Sequence, residues 1–217
     1  MHKRISLITV LLCSALVASA RDAQQYESFL GFGLVRVNPN SGILPSFNSR
    51  GGEGQFVYNV NSYIGGVVDL GAVTTNEINH NKVDSTALNF MVGPRFKYHG
   101  ESRFQPFVEM LFGGAYWTAS TPYNLPSLGA VVVPPNIVVN PNLAVSARLA
   151  VSRAGFAMLA GGGVDIKINN HIALRPIGVD YYFTRLPGPM TSNPQNVGNV
   201  RYSAGINFVI GPQSRPP

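Results

Sequence analysis

Residues 156–168 read Phe-Ala-Met-Leu-Ala-Gly-Gly-Gly-Val-Asp-Ile-Lys-Ile, and their side chains alternate between two kinds. The residues in step with Phe156 are apolar or small, whereas the residues between them include Asp165 and Lys167. A period of two predicts a β-strand, because successive side chains of a strand point to opposite faces. The same alternation recurs in residues 86–98 and 200–210. These segments of roughly 10–14 residues exceed the usual strand length of about 5–6, so the chain is predicted to be all-β with long strands.

The two faces of these strands indicate a barrel with lipid outside. One face is bulky and apolar, and the other is built from Gly, Ala, Ser and Asn with isolated charges, which suits a narrow interior. Aromatic residues lie near the predicted strand ends, as in the girdles that flank the apolar band of a membrane barrel. They are Tyr58, Tyr63, Phe96, Tyr98, Phe104, Tyr116, Trp117, Tyr181, Tyr182 and Phe208. A soluble ligand-binding barrel, the alternative, would carry its bulky side chains inside.

Eight strands are predicted, and the segments between them alternate strictly between short and long. The strands cover approximately residues 25–37, 53–60, 63–74, 85–98, 104–118, 155–168, 172–184 and 199–210. The short turns are residues 61–62, 99–103 and 169–171, and the long loops are about 38–52, 75–84, 119–154 and 185–198. Outer-membrane barrels have short periplasmic turns and long extracellular loops, and only a closed sheet leaves no unpaired edge in lipid. The predicted fold is an all-β, eight-stranded antiparallel up-and-down transmembrane β-barrel.

The first twenty residues predict export. A basic start at residues 1–4, an apolar run at 5–17 and the small residues Ala18-Ser19-Ala20 form a signal peptide, 1–20, cleaved after Ala20. The apolar run is shorter than the roughly 20 residues of a membrane-spanning helix. Cleavage removes the single cysteine, Cys13, and leaves fourteen basic against ten acidic residues in a single domain, 21–217. Cysteine chemistry is therefore excluded, no Lys/Arg cluster suits nucleic acid, and the predicted location is the bacterial outer membrane.

Several segments keep the order and spacing of motifs of a known family. They are Val92-Gly93-Pro94-Arg95-Phe96 with Phe104 to Phe107, Met110-Leu111-Phe112-Gly113-Gly114, Gly161-Gly162-Gly163-Val164-Asp165, and Tyr202 to Ile210. In these segments the chain resembles the outer membrane protein β-barrel domain family, the small eight-stranded barrels similar to the OmpA transmembrane domain and OmpX. The resemblance covers essentially the whole mature chain.

The resemblance implies a signal for the barrel-assembly machinery at the end of the last strand. Family members carry the pattern polar-x-Gly-x-x-apolar-x-apolar there, and residues 203–210 fit it through Ser203, Gly205, Phe208 and Ile210. The chain departs from many members because Gly211 to Pro217 follow this pattern. The assembly machinery is thus an expected partner during biogenesis.

Charged residues on the small face are predicted to line the barrel interior. They are Asp69, Glu109, Asp165 and Asp180, with Arg95, Lys97, Lys167, Arg175 and Arg201. Because burying an unpaired charge is strongly unfavourable, these nearly balanced charges should pair and plug the lumen. Arg175 and Asp180 both face inward only if a bulge lies near Pro176. The facing of strand 25–37, and with it that of Arg36, stays open.

No enzyme, cofactor or metal site is predicted. His80, Asp84 and Ser85 could together activate a hydroxyl nucleophile, but they lie close in sequence in or beside the second long loop, with no evident oxyanion hole. They are predicted to be a solvated polar loop. Gly161-Gly162-Gly163 lacks the Lys and the helix of a phosphate loop, and glycines within a strand more simply permit bending and close approach.

The loop at 119–154 is the expected contact surface. Two β-branched runs, 130–133 and 137–139, flank Pro134-Pro135-Asn136 and could extend the hairpin towards a partner. The predicted function is a non-enzymatic outer-membrane barrel in lipid with a structural or surface-interaction role. A narrow porin-like channel for small solutes is the alternative.

Overall fold

The computed structural model describes residues 26–39, 45–78, 81–99, 102–124, 146–187 and 194–211. Within them the chain forms eight antiparallel strands, joined in sequence order into one closed barrel. The strands are β1 Tyr26–Val37, β2 Phe47–Asn59, β3 Ile64–Ile78, β4 Asn81–Lys97, β5 Phe104–Asn124, β6 Ser146–Lys167, β7 Ile172–Pro187 and β8 Pro194–Ile210. The predicted class, an eight-stranded antiparallel up-and-down barrel, is confirmed.

β1 closes the barrel because it pairs with both β2 and β8. Tyr26 lies opposite Tyr58 of β2 and opposite Ile210 of β8. Each strand therefore has a hydrogen-bonded neighbour on both sides, which satisfies the backbone groups that an open edge would leave unpaired.

Asparagine side chains hold two of the short turns. The Asn61 Oδ1 accepts hydrogen bonds from the backbone N–H groups of Tyr63 and Ile64, at 2.9 and 2.8 Å. Asn169 repeats the arrangement with His171 and Ile172, both at 2.8 Å. Asn stabilises tight turns in this way because its side chain mimics a backbone carbonyl. We call the side of the barrel that carries these turns the turn end, and the opposite side the loop end.

The strands extend further at the loop end than predicted. At the turn end the predicted bounds hold to within one residue, but β5 runs to Asn124, β6 begins at Ser146, and β3 and β4 continue to Ile78 and Asn81. The segments predicted as loops, 38–52, 75–84, 119–154 and 185–198, are therefore partly strand. Most of these extensions lack a regular apolar alternation, and backbone pairing continues the ladder there. The runs 130–133 and 137–139 lie outside the described residues.

Large apolar side chains cover the outside of the barrel. Leu30, Leu70 and Phe90 are 54–60% exposed, and they belong to one row across β1 to β4. At the turn end the outer face is aromatic, and the Tyr63 and Tyr98 rings lie 6.5 Å apart. The outer surface is thus apolar, the reverse of a soluble barrel.

A bulge in β7 lets Arg175 and Asp180 both face inward, as predicted. The pairing of β7 with β8 shifts between Arg175 and Gly178, so that Pro176 and Ile177 of β7 oppose the single residue Ala204 of β8. Pro176 and Ile177 are exposed, whereas Arg175 and Asp180 are buried. A bulge adds one residue to a strand and so resets which face the following side chains take.

The interior also contains an apolar cluster. Its members include Val57, Met91, Leu111, Leu159 and Tyr182. No helix among the described residues is long and apolar enough to cross a membrane.

Candidate functional site in the barrel interior

Ten buried charged side chains fill the interior of the described barrel, and we call them the interior charge network. They are Glu27, Glu53, Asp69, Glu109, Asp165 and Asp180, with Arg95, Lys97, Arg175 and Arg201. Alternation places them on the inner face of their strands, because the residues between them are exposed or half-buried. The interior of an eight-stranded barrel is just wide enough for such side chains to fill it.

Lys97 organises the part of the network nearest the turn end. Its Nζ lies 2.6 Å from Glu27 Oε2 and 2.8 Å from Asp165 Oδ2. Arg175 Nε donates to Asp165 Oδ1 at 2.8 Å, and His99 Nε2 lies 3.2 Å from Glu27 Oε1. Both carboxylates therefore face at least two nitrogen groups, which offsets the cost of burying them.

Gln55 joins this part to the rest of the network. Its Oε1 accepts hydrogen bonds from Arg95 and, at 2.9 Å, from Arg175 Nη1. Its Nε2 donates to Asp69 Oδ2 at 3.0 Å and to Glu109 Oε1 at 3.1 Å. Arg95 is also ion-paired with Glu109. One uncharged amide thus satisfies two cations and two anions, because it carries both donors and an acceptor.

Two phenylalanine rings pack against the guanidinium groups. The Arg175 guanidinium lies 4.0 Å from the centre of the Phe29 ring and 4.3 Å from that of Phe107. Arg95 lies 4.5 Å from the Phe107 ring. Aromatic faces attract cations at this range, so the rings hold the arginine planes while they occupy space that water would otherwise fill.

Arg201 forms the centre of the part nearest the loop end. Its Nε donates to Asp180 Oδ2 and its Nη1 to Asp69 Oδ2, both at 3.1 Å. Glu53 Oε2 is farther away, 3.5 Å from Nη1. Gly161 of the triple glycine leaves the space for Asp180, since a Cβ at that position would lie 2.3 Å from Asp180 Oδ1. These glycines thus sit within a strand beside a buried carboxylate.

The structure places eight of the nine predicted lumen residues in this network. They are Asp69, Arg95, Lys97, Glu109, Asp165, Arg175, Asp180 and Arg201. The ninth, Lys167, is the last residue of β6 and is half-buried at the turn end. None of the ion pairs among the described residues includes it.

Sequence reasoning missed two of the carboxylates and the amides that bind them. Glu53 lies in a regular alternation with Gln55 and Asn59, so the pattern alone could have placed it inside. The sequence did not show that Glu27 faces inward, because Phe29 on the same face of β1 is a large apolar residue that could lie either in the interior or on the outer surface. Arg36 of the same strand is exposed and outward, and hydrogen-bonds to Asn48 Oδ1 at 3.3 Å. The predicted near-balance of interior charge was therefore wrong, since six carboxylates face four cations.

His80, Asp84 and Ser85 were predicted to be a solvated polar loop, and that prediction is wrong for Asp84 and Ser85, which lie in β4. Asp84 and Ser85 are adjacent in β4, so their side chains point to opposite faces, and Asp84 is exposed while Ser85 is buried. The Ser85 Oγ accepts a hydrogen bond from Trp117 Nε1 at 2.8 Å. His80 lies outside the described residues. Among the described residues, no three His, Cys, Asp or Glu side chains are grouped so as to hold a metal ion.

The residues of the expected assembly signal lie in β8. Phe208 and Ile210 are exposed on the outer face, whereas Ser203 is buried and Gly205 is half-buried. A Cβ at Gly205 would lie 2.3 Å from the Leu30 carbonyl oxygen of β1. This glycine therefore lets β8 approach β1 at the position where the barrel closes.

Comparison with known proteins identifies the fold. Solved structures similar to this chain include Ail, the attachment invasion locus protein of Yersinia pestis, with 15% identity, a TM-score of 0.51, and coverage of 86% of this chain and 100% of Ail. Neisserial surface protein A has 12% identity, a TM-score of 0.51, and coverage of 85% and 97%. The chain has the fold of the small eight-stranded outer-membrane β-barrels. Ail has also been solved in complex with the heparin analogue sucrose octasulfate, and that structure has 16% identity, a TM-score of 0.50, and coverage of 85% and 99%. No family model and no curated protein matches the sequence.

Proposed function

We propose that this protein is a non-enzymatic barrel of the bacterial outer membrane with a structural or surface-interaction role, its lumen plugged by the interior charge network. Residues 1–20 would direct its export and be cleaved. The observation that carries the proposal is the inverted distribution of side chains. Ten charged groups are buried inside a closed barrel whose outside is apolar, and water would penalise that outer surface whereas lipid would not.

The height of the outer apolar surface supports a lipid environment. Along β4 and the residue that follows it, outward apolar and aromatic residues run from Leu88 to Tyr98. With a rise of about 3.3 Å per residue and a tilt of about 40°, the stretch of chain from Leu88 to Tyr98 spans about 25 Å along the barrel axis. That height equals the apolar band of outer-membrane barrels.

Fractionation of cells that express the full chain tests the location. We expect the protein in the outer-membrane fraction, and we expect unboiled samples to migrate differently from boiled samples on a denaturing gel, since a closed barrel resists detergent until it is heated. Recovery as a soluble protein without heat-modifiable migration would contradict the membrane proposal.

Planar-bilayer recording tests the plug. We expect the wild-type barrel to give no steady conductance, because paired side chains occupy the lumen. Removing the Arg95–Glu109 pair by a double substitution to Ala takes out one cation and one anion, and should produce open steps. Arg36→Ala, on the outer face, is the control and should remain closed. Steady conductance of the wild type would favour a channel.

Exposed arginines at the loop end support a surface-interaction role. Arg36, Arg50 and Arg185 are exposed, and no ion pair among the described residues includes them. They lie towards the same end as the long hairpin of β5 and β6, so we propose that the partner is anionic. Heparin is a suitable probe because Ail was solved with a heparin analogue. At about 0.5 kcal/mol for each exposed ion pair, replacing all three by Gln should weaken heparin binding about tenfold. Arg103→Gln, exposed at the turn end, is the control and should leave binding unchanged.

The second candidate is a narrow channel for small solutes. The excess of buried carboxylates over cations favours it, because a lumen with net negative charge would attract cations. The bilayer recording distinguishes the two candidates, since a channel of this kind would conduct in the wild type and select cations over anions.

A further inference from the structure

The negative excess of the interior charge network is confined to its loop-end part. Near the turn end three carboxylates face three cations, namely Glu27, Glu109 and Asp165 with Arg95, Lys97 and Arg175. Near the loop end Arg201 is the one cation among the described residues that forms ion pairs with Glu53, Asp69 and Asp180, and it also lies 4.0 Å from Glu109. One guanidinium cannot neutralise three buried carboxylates, and buried charge without a counter-charge is strongly unfavourable.

Glu53 is the least satisfied of these three carboxylates. Asp69 accepts hydrogen bonds from Arg201, Gln55 and Asn89, and Asp180 accepts one from Arg201. Glu53 is only 6% exposed, and neither of its carboxylate oxygens accepts a hydrogen bond. A buried carboxylate with no donor points to an occupant beside it.

A cavity of about 20 Å³ lies next to this carboxylate. Its polar walls are Glu53, Asn89, Tyr182 and Arg201, and the rest of its lining is three glycines and the apolar residues Val35, Val73 and Ala87. One of these glycines is Gly33, where a Cβ would lie 3.6 Å from Glu53 Oε2. Since a single water needs roughly 10–15 Å³, the cavity admits one small occupant.

We propose that Glu53 and this cavity bind one monovalent inorganic cation, such as Na⁺ or K⁺, which completes the plug. Hard cations take oxygen ligands, and the Glu53 carboxylate also supplies the opposite charge. A divalent ion fits less well, because no group of three acidic or histidine ligands is assembled among the described residues and Arg201 is adjacent. The inference rests on the interior contacts and does not depend on the membrane location.

The experiment measures the urea midpoint of the detergent-folded barrel, with the folded fraction read from unboiled gel samples. NaCl, KCl and choline chloride are compared at equal ionic strength and pH, since choline is too large for the cavity. Above the dissociation constant, the folded-to-unfolded ratio should rise about tenfold for each tenfold increase in the binding cation. Choline should give no such rise.

Two variants test the site in different ways. Glu53→Gln removes the charge in a near-isosteric side chain, and Gly33→Ala fills the cavity at an ordinary contact distance while it keeps the charge. Both should lose the difference between Na⁺ or K⁺ and choline. Glu77→Gln, which removes an exposed carboxylate, should retain it. Equal wild-type midpoints in all three salts, or a cation response that survives in Glu53→Gln, would overturn the proposal. If the salt series is repeated at several pH values, midpoints that ignore cation identity but lose part of their pH dependence in Glu53→Gln would show that Glu53 holds a proton instead.

Discussion

At the scale of single residues, we expect removal of the Lys97 charge to destabilise the barrel. It is 2% exposed and is the cation that Glu27 and Asp165 share. Lys97→Met keeps the length of the side chain but removes the charge, and breaking a buried pair in this way typically costs about 3–5 kcal/mol. Urea unfolding in detergent measures the change in the free energy of unfolding.

Lys167→Met is the matched control for that substitution. Lys167 was predicted to belong to the same network, but it is half-buried at the turn end and outside its ion pairs. We expect a change within about 0.5 kcal/mol, as for most surface substitutions. Equal losses in the two variants would mean that buried pairing is not what stabilises the barrel interior.

At the scale of elements, the β7 bulge yields a prediction about deletion. Removing Ile177 leaves Arg175, Pro176, Gly178, Val179 and Asp180 in regular alternation. The flanking pairs to β8 keep their register, because the bulge already sets two residues of β7 against one of β8. The variant should fold and give a heat-modifiable band, with a loss of about 0.5–3 kcal/mol.

Deletion of Val68 from β3 is the contrasting case. Its pairing with β2 is regular from Asn59–Gly65 to Arg50–Thr74, so no extra residue can absorb the loss. One half of the strand would turn its apolar face inward and Asp69 outward, or the reverse. We expect no folded band. A folded Val68 deletion together with an unfolded Ile177 deletion would refute this account of the bulge.

At the scale of the whole molecule, the outer face predicts a dependence on depth in the bilayer. Leu70 lies within the apolar band, and Thr74 is exposed on the same face of β3 closer to the loop end. Leu70→Arg should destabilise the barrel in lipid vesicles by about 2–4 kcal/mol, and Thr74→Arg by about 0–1 kcal/mol. Unfolding in urea from vesicles measures both. Similar costs at the two positions would contradict a membrane-spanning orientation.

The eight strands and the closed barrel were predictable because their evidence is local. Alternation along 86–98 and 156–168 marks strands within one stretch of chain, and the turns at Asn61 and Asn169 lie where the pattern is interrupted. The bulge followed from the same rule, since Arg175 and Asp180 differ in parity. The strand extensions to Asn124 and from Ser146 escaped prediction, because backbone pairing there needs no apolar pattern.

What the sequence by itself determined is therefore the strand count, the order of turns and most of the inward charges. Only the tertiary structure decided which charged side chains form ion pairs with one another. Lys97 pairs with Glu27 across 70 residues, and Arg201 reaches Asp69 across 132. It also set the excess of carboxylates over cations in the interior as a whole, because the inward facing of Glu27 and the place of Lys167 outside the ion pairs depend on register and closure. The physical reason is that alternation defines the face of a strand, whereas pairing between distant strands defines its neighbours.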